Sequence, residues 1–301
     1  ARAEEVDTLV GLASDPIDEC LASHPGRVRL MGETLRNIAD PGRINQGFKG
    51  TCAVTCVEIY VCERMPAEYA HLVAGLVSPA GSVTLCGGSE LARDEDVLEW
   101  HDSEARRSPV SRLLQVAFME FAYPDLDYQN MVDGHIAHKA PSDDGGEGDE
   151  NTGTGIGLDE FDRLLEAVTG ERWDTVSDHQ TQLSAKFASL GIDTSFLPDL
   201  YRDGMGIIRA ALADSAAIFV TLGSRADSER IGEDPMYALP HKVRVQRIDD
   251  EEGRAWYDDP LDPVDPWIPG VETRVEDDRG SCSMSLSDFE ELVCEVSYQP
   301  R

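Results

Sequence analysis

The stretch Gln46-Gly47-Phe48-Lys49-Gly50-Thr51-Cys52 decides how the whole chain is read. It is a short polar loop, made flexible by two glycines, that runs straight into the most apolar segment of the sequence, residues 52–64. There Ala53, Val54, Val57, Ile59, Tyr60 and Val61 leave little polar surface. A helix apolar on most sides is a buried helix. Cys52 thus falls in the first turn of a buried helix, where backbone N–H groups and the helix dipole favour a thiolate. Gln46, six residues upstream, carries side-chain N–H groups. With the backbone N–H of Cys52 they would form an oxyanion hole for a tetrahedral intermediate. Cys56 and Cys62 lie deeper in the same helix and read as inert core thiols.

Outward from this segment the first half of the chain is helical. Apolar periodicity runs over residues 4–22, broken near Pro16, and over 27–39, stopped by Asp40-Pro41-Gly42. Pro66 opens another helix, and further helical patterns cover 109–123, 158–169, 178–190 and 205–213, with a short strand at 82–85. Between 125 and 157 the pattern dissolves, and the glycine-rich, acidic residues 141–157 read as a mobile loop. Strands then take over at 216–222, 242–248 and 254–257, the last two joined by the hairpin turn 249–253. A capped helix at 285–292 and a strand at 293–298 close the chain. Helices first and strands last argue an α+β fold. The expected organisation is a helical lobe over 1–140, the mobile loop, and helices followed by a β lobe over 158–301.

The second cluster of chemistry lies far downstream. His241 opens a strand after Leu239-Pro240, and Asp259 follows the next strand in Tyr257-Asp258-Asp259-Pro260. A hairpin of this length can set a residue at the start of its first strand beside one just past the end of its second. The histidine then serves as a base, and a carboxylate fixes its tautomer and orientation. Either Asp258 or Asp259 could be that carboxylate; the reading favours Asp259.

Charge and composition bound the partners. The 301 residues carry 58 acidic against 26 basic side chains, a net charge of −32. That field repels nucleic acid and anionic lipid and argues against both as partners. It suits a solvated acidic surface or attraction to a basic substrate. No apolar run approaches the roughly 20 residues of a spanning helix, and no signal peptide is visible, which leaves a cytoplasmic or a delivered, secreted location open. The seven cysteines include no C-x-x-C pair, so no zinc site is expected. The acidic residues 143–150 lack EF-hand spacing. No cofactor and no metal are expected.

Nucleophile, base and orienter in this chain order resemble the papain-like cysteine peptidase superfamily. The local text is unlike papain itself, whose Cys-Gly-Ser-Cys-Trp is absent. It is similar to the calpain and bacteriocin-processing (double-glycine) peptidase branches, with Gln-Gly-x-x-Gly-x-Cys, then a His-x-Val strand, then Asn-Pro or Asp-Pro after a hairpin. The matching residues are Gln46, Gly47, Gly50, Cys52, His241, Val243, Asp259 and Pro260. The segment from Leu164 to Thr169-Gly170 also resembles calpain-like chains. Asp stands where calpains carry Asn, and Leu261 stands where they carry Trp. The resemblance implies a helical N-terminal half whose buried nucleophile helix packs against a mainly antiparallel C-terminal sheet. It implies a Cys52–His241–Asp259 triad with Gln46 as oxyanion donor, acting on a protein or peptide substrate. The same machinery would serve a deamidase or transglutaminase acting on glutamine side chains, and an idle copy would serve as a binding module. The oligomeric state is left open.

Overall fold

Residues 53–62 are buried without a break, and the structure of the N-terminal unit follows from that one helix. The computed structural model describes residues 2–98, 107–137, 150–151, 155–177, 204–223, 240–261, 271–277 and 281–300. The helix expected at 178–190 and the loop residues 141–149 lie outside the described residues. The chain divides into two compact units, Ala1–Glu171 and Arg172–Arg301.

In the first unit α1 (Arg2–Ser14) stops before Pro16, and α2 (Glu19–Ser23) restarts behind Asp18, whose carboxylate accepts from the Cys20 N–H at 2.8 Å. Next come α3 (Arg27–Ala39), α4 (Cys52–Arg64), α5 (Pro66–Val77), α6 (Pro109–Ala122) and α7 (Leu158–Thr169). Pro66 and Pro109 stand in first turns, where the missing N–H is no loss. Packed around α4 are α3, α5, α6 and α7. The last of these presents Phe161, Leu164, Leu165 and Val168 as a helical stripe, all fully buried. It ends at Gly170, whose φ of +70° is left-handed backbone that glycine adopts without strain. The sequence reading grouped α7 with the second lobe; its apolar stripe belongs to the core around α4 and α6.

Two small sheets decorate this unit. The hairpin of β1 (Ser82–Thr84) and β2 (Glu90–Ala92) accounts for the expected short strand. In the region where periodicity dissolves, β3 (Asp127–Gln129), β4 (Gly134–Ala137) and β5 (Glu150–Asn151) form an antiparallel sheet. The β3–β4 turn places Asp133 at φ +53° directly before Gly134, so this Asp-Gly pair was the hairpin signal in a stretch read as patternless. Glu150 and Asn151, expected within a mobile loop, are strand residues paired to Ala137 and Ile136.

The second unit is a seven-stranded sheet with spatial order β10 (Arg274–Val275), β11 (Ser281–Ser285), β9 (Arg254–Asp258), β8 (His241–Asp249), β7 (Ile218–Leu222), β12 (Val293–Tyr298) and β6 (Asp174–Ser177). Every neighbouring pair is antiparallel. With the helices of the first unit this makes the fold α+β. Side chains alternate across the sheet. Val220, Val243, Val245 and Tyr257 join Phe289 and Leu292 of α9 (Leu286–Leu292) and Ile208 of α8 (Gly204–Ala213) in one apolar core. On α9, Ser285 caps the N-terminus, accepting from the Asp288 N–H at 3.1 Å.

Candidate functional site

Two halves of the expected site are built by local structure within separate units. In the first, residues 46–49 form a tight turn, with the Lys49 N–H bonded to the Gln46 carbonyl at 3.4 Å. Gly47 at φ +62° supplies the left-handed backbone that the turn needs. The turn delivers the chain to Thr51, the N-cap of α4, and Cys52 is the first helical residue. Cys52 is half-buried, whereas Cys56 and Cys62 are fully enclosed. Burial, then the charges of Glu58 and Glu63, raise the Cys62 thiol far above its ordinary range. This keeps it protonated, as expected of a core thiol. None of the seven cysteines forms a disulfide.

Thr51 does not cap the helix with its side chain. Its hydroxyl instead donates to Gln115 Oε1 at 3.0 Å in the core. Gln46 is nearly buried at 6% exposure, and its Nε2 donates to the Lys49 carbonyl at 2.7 Å. One of the two amide hydrogens thereby closes its own turn. Gln46 Oε1 is enclosed without a donor among the described residues.

In the second unit the hairpin does what its length allows. His241 is the first residue of β8, opposite Leu222 of β7, and is 3% exposed. Its Nε2 lies 2.8 Å from Asp259 Oδ1, and the same oxygen accepts from the Leu261 N–H at 2.9 Å. A carboxylate can only accept, so Nε2 bears the hydrogen and Nδ1 is the basic nitrogen of the neutral ring. Strand parity explains why the two adjacent acids differ. Tyr257 pairs with Val245 and faces the core, and Asp258 pairs with Arg244 and faces the other way. Asp259 returns to the face of Tyr257, Val243 and His241. Asp258 is committed to Arg244, whose Nε and one terminal nitrogen reach its Oδ2 at 2.7 and 2.6 Å, and to Gln246 through Oδ1.

The sequence reading missed a buried polar network behind Cys52. Glu58, on α4, is completely buried and accepts from Gln115 Nε2 at 2.9 Å and from the Tyr69 hydroxyl at 3.1 Å. Burial, only partly offset by these donors, Ser111 and Arg107, pushes its carboxyl up to about 7. The signal was present: one acid inside an otherwise apolar helix must find partners.

A second acidic group sits in the same unit. Carboxylate oxygens of Asp94, Glu120 and Asp127 lie within 4.8 Å of one another, and Glu120 Oε1 accepts from the Tyr128 N–H at 2.5 Å. Burial above all, with the neighbouring Asp94, Asp127 and Asp96 adding to it and the Tyr128 bond opposing, pushes Glu120 up to about 8. Among the described residues this is the one grouping with the spacing of a cation site. No helix among the described residues is long and apolar enough to cross a membrane.

Compared with known protein families and with curated proteins, the sequence matches none.

Proposed function

We propose that the chain is a papain-like cysteine peptidase with Cys52 as nucleophile, His241 as base and Asp259 as the residue that orients the base. The observation that carries the reading is the 2.8 Å bond between His241 Nε2 and Asp259 Oδ1. With Nε2 bonded to the carboxylate, Nδ1 is the nitrogen that would take a thiol proton. The thiol it would meet is that of Cys52, the one half-buried cysteine of α4, at that helix's first residue.

In this mechanism His241 takes the Cys52 proton, and the sulfur forms a bond to the scissile carbonyl carbon. The carbonyl electron pair moves to oxygen, where the Cys52 N–H and the second Gln46 amide hydrogen hold it. Collapse restores the carbonyl and breaks the C–N bond, the leaving amine taking the proton from the imidazolium. Water, deprotonated by His241, then attacks the thioester and expels the thiolate. Asp259 stabilises the imidazolium throughout without itself being protonated.

A peptide substrate suits the surface of the nucleophile loop. Phe48, Met131 and Val132 are 62%, 66% and 55% exposed. The loops that carry them are joined by Lys49 Nζ to the Asn130 and Met131 carbonyls at 2.6 and 3.3 Å, and by the Gly50 N–H to Asp133 Oδ2 at 2.7 Å. Exposed apolar side chains held in place beside a nucleophile suit an apolar residue flanking a scissile bond. The test is mass spectrometry of a protein extract incubated with the chain and with its Cys52→Ala variant. New N-termini that require Cys52 support the peptidase. Gln-to-Glu mass shifts without cleavage would replace it by a deamidase, and no change of either kind would favour a binding module.

A further inference from the structure

Gln115, in the middle of α6, is fully buried and uses all of its hydrogen-bonding capacity on four different residues. Its Nε2 donates to the Asn45 carbonyl at 3.1 Å and to Glu58 Oε2 at 2.9 Å. Its Oε1 accepts from Thr51 Oγ1 at 3.0 Å and from an Arg107 terminal nitrogen at 3.2 Å. Two hydrogens and two lone pairs are a primary amide's full complement. The orientation admits no flip, because a carboxylate and a carbonyl need donors on one side while a guanidinium needs an acceptor on the other.

Two of these partners bracket the nucleophile loop. Asn45 immediately precedes Gln46, and Thr51 immediately precedes Cys52. One buried amide therefore clamps both ends of a loop that contains two glycines. A second arm of the same network returns to the loop. Arg107 donates to Asn130 Oδ1 at 2.5 Å, and the Asn130 carbonyl holds Lys49 Nζ at 2.6 Å. Glu58 anchors the far side of the amide, and Tyr69, itself held by Asn37 Nδ2 at 2.7 Å, anchors Glu58.

We propose that Gln115 is the positioning residue of the nucleophile loop: by bonding Asn45 and Thr51 with one carboxamide it sets the separation of the Gln46 amide from the Cys52 thiol. It acts through those residues and touches no substrate. The proposal rests on the roles given above to Cys52 and Gln46. Misplacing a reacting group by about 1 Å can cost on the order of a hundredfold in rate, and a glycine-bearing loop resists such a shift only through the groups that hold it.

The test measures alkylation of Cys52 by iodoacetamide in the full chain, resolved by peptide mass spectrometry, with the exposed Cys20 and Cys86 as internal references. The thermal midpoint is recorded in parallel. Gln115→Ala removes all four bonds. The exchange Gln115→Glu with Glu58→Gln restores an amide–carboxylate pair in the core and keeps acceptors for Thr51 and Arg107, but sets a carboxylate against the Asn45 carbonyl. Thr51→Val removes one tether with little change of shape. The expected result is a Cys52 rate lowered about tenfold or more in all three relative to Cys86, with the exchange variant and Thr51→Val melting close to wild type. Where a turnover assay exists, kcat falls and KM holds. If either well-folded variant alkylates Cys52 at the wild-type rate, the positioning role is overturned while the nucleophile reading stands. If wild-type Cys52 reacts no faster than Cys86, both fall together.

Discussion

Asp259 Oδ1 holds His241 Nε2 at 2.8 Å, while Asp258, one residue earlier, is bonded to Arg244 on the opposite face of the sheet. Two identical side chains in sequence thus have different jobs, assigned by the two-residue period of a strand. The assignment predicts opposite phenotypes. Asp259→Ala should lower turnover yet keep more than His241→Ala, because orienting a base is worth less than being one, and should change the melting temperature little. Asp258→Ala should instead leave Arg244, 13% exposed, without its carboxylate, costing about 3 kcal/mol of stability with turnover per folded molecule retained. Parallel measurement of kcat/KM and denaturant unfolding separates the two; equal loss of activity in both variants would contradict the assignment.

The nucleophile segment has its own ranking. Cys52→Ala should abolish turnover without unfolding, since the side chain is small and half-buried. Gln46→Ala should cost roughly 10²–10³ in turnover, and also some stability, because the Lys49 carbonyl loses its donor. Cys56→Ala, in the closed core, should remain active with a packing cost alone. A dead Cys56→Ala beside an active Cys52→Ala would name the wrong thiol.

Buried Glu58 makes stability depend on pH in a stated direction. Its folded-state carboxyl titrates near 7 against an ordinary 4.5, with burial the main cause. The folded state therefore binds the proton more tightly than the unfolded chain. This contribution favours folding below about 4.5 and is lost as pH climbs through about 7. Glu58→Gln, which keeps an acceptor for Gln115, should flatten that part of the profile. Urea unfolding at pH 5 and pH 8 checks it: the gap between the two pH values should narrow in the variant, and an unchanged gap would contradict the assignment.

Glu120 follows the same sign at higher pH. It titrates near 8, through burial and the carboxylates of Asp94, Asp127 and Asp96. Glu120→Gln retains an oxygen to accept from the Tyr128 N–H and removes the charge, so it should raise the melting temperature at pH 9 and leave it nearly unchanged at pH 4. A variant less stable than wild type at pH 9 would show that the clustered charge is balanced by something other than protons.

The elements legible in the sequence are those whose apolar spacing is long and regular. The stripe Phe161, Leu164, Leu165 and Val168 announces α7, and the continuous apolar run announces α4. Strand β11 was missed because Cys282 and Met284, which face the core, alternate with Ser281, Ser283 and Ser285, a pattern of correct period written in residues of weak strand preference. At the site, His241 and Asp259 were legible because a hairpin relates them locally. The clamp was not: Gln115 stands 70 residues from Asn45, 64 from Thr51 and 57 from Glu58. Only the folded chain brings those groups together, and a glutamine among Leu113, Leu114, Val116 and Ala117 carries no mark of its partners.

The central claim is that the Cys52 thiol is a nucleophile made reactive by His241. The most direct measurement is site-resolved labelling with a peptide vinyl sulfone across pH 5 to 9, comparing wild type with His241→Ala. The account predicts an adduct on Cys52 in wild type that persists below neutral pH, where exposed Cys20 and Cys86 stay unlabelled, and its loss in His241→Ala. An adduct on another cysteine, or Cys52 labelling that His241→Ala leaves unchanged, would contradict it.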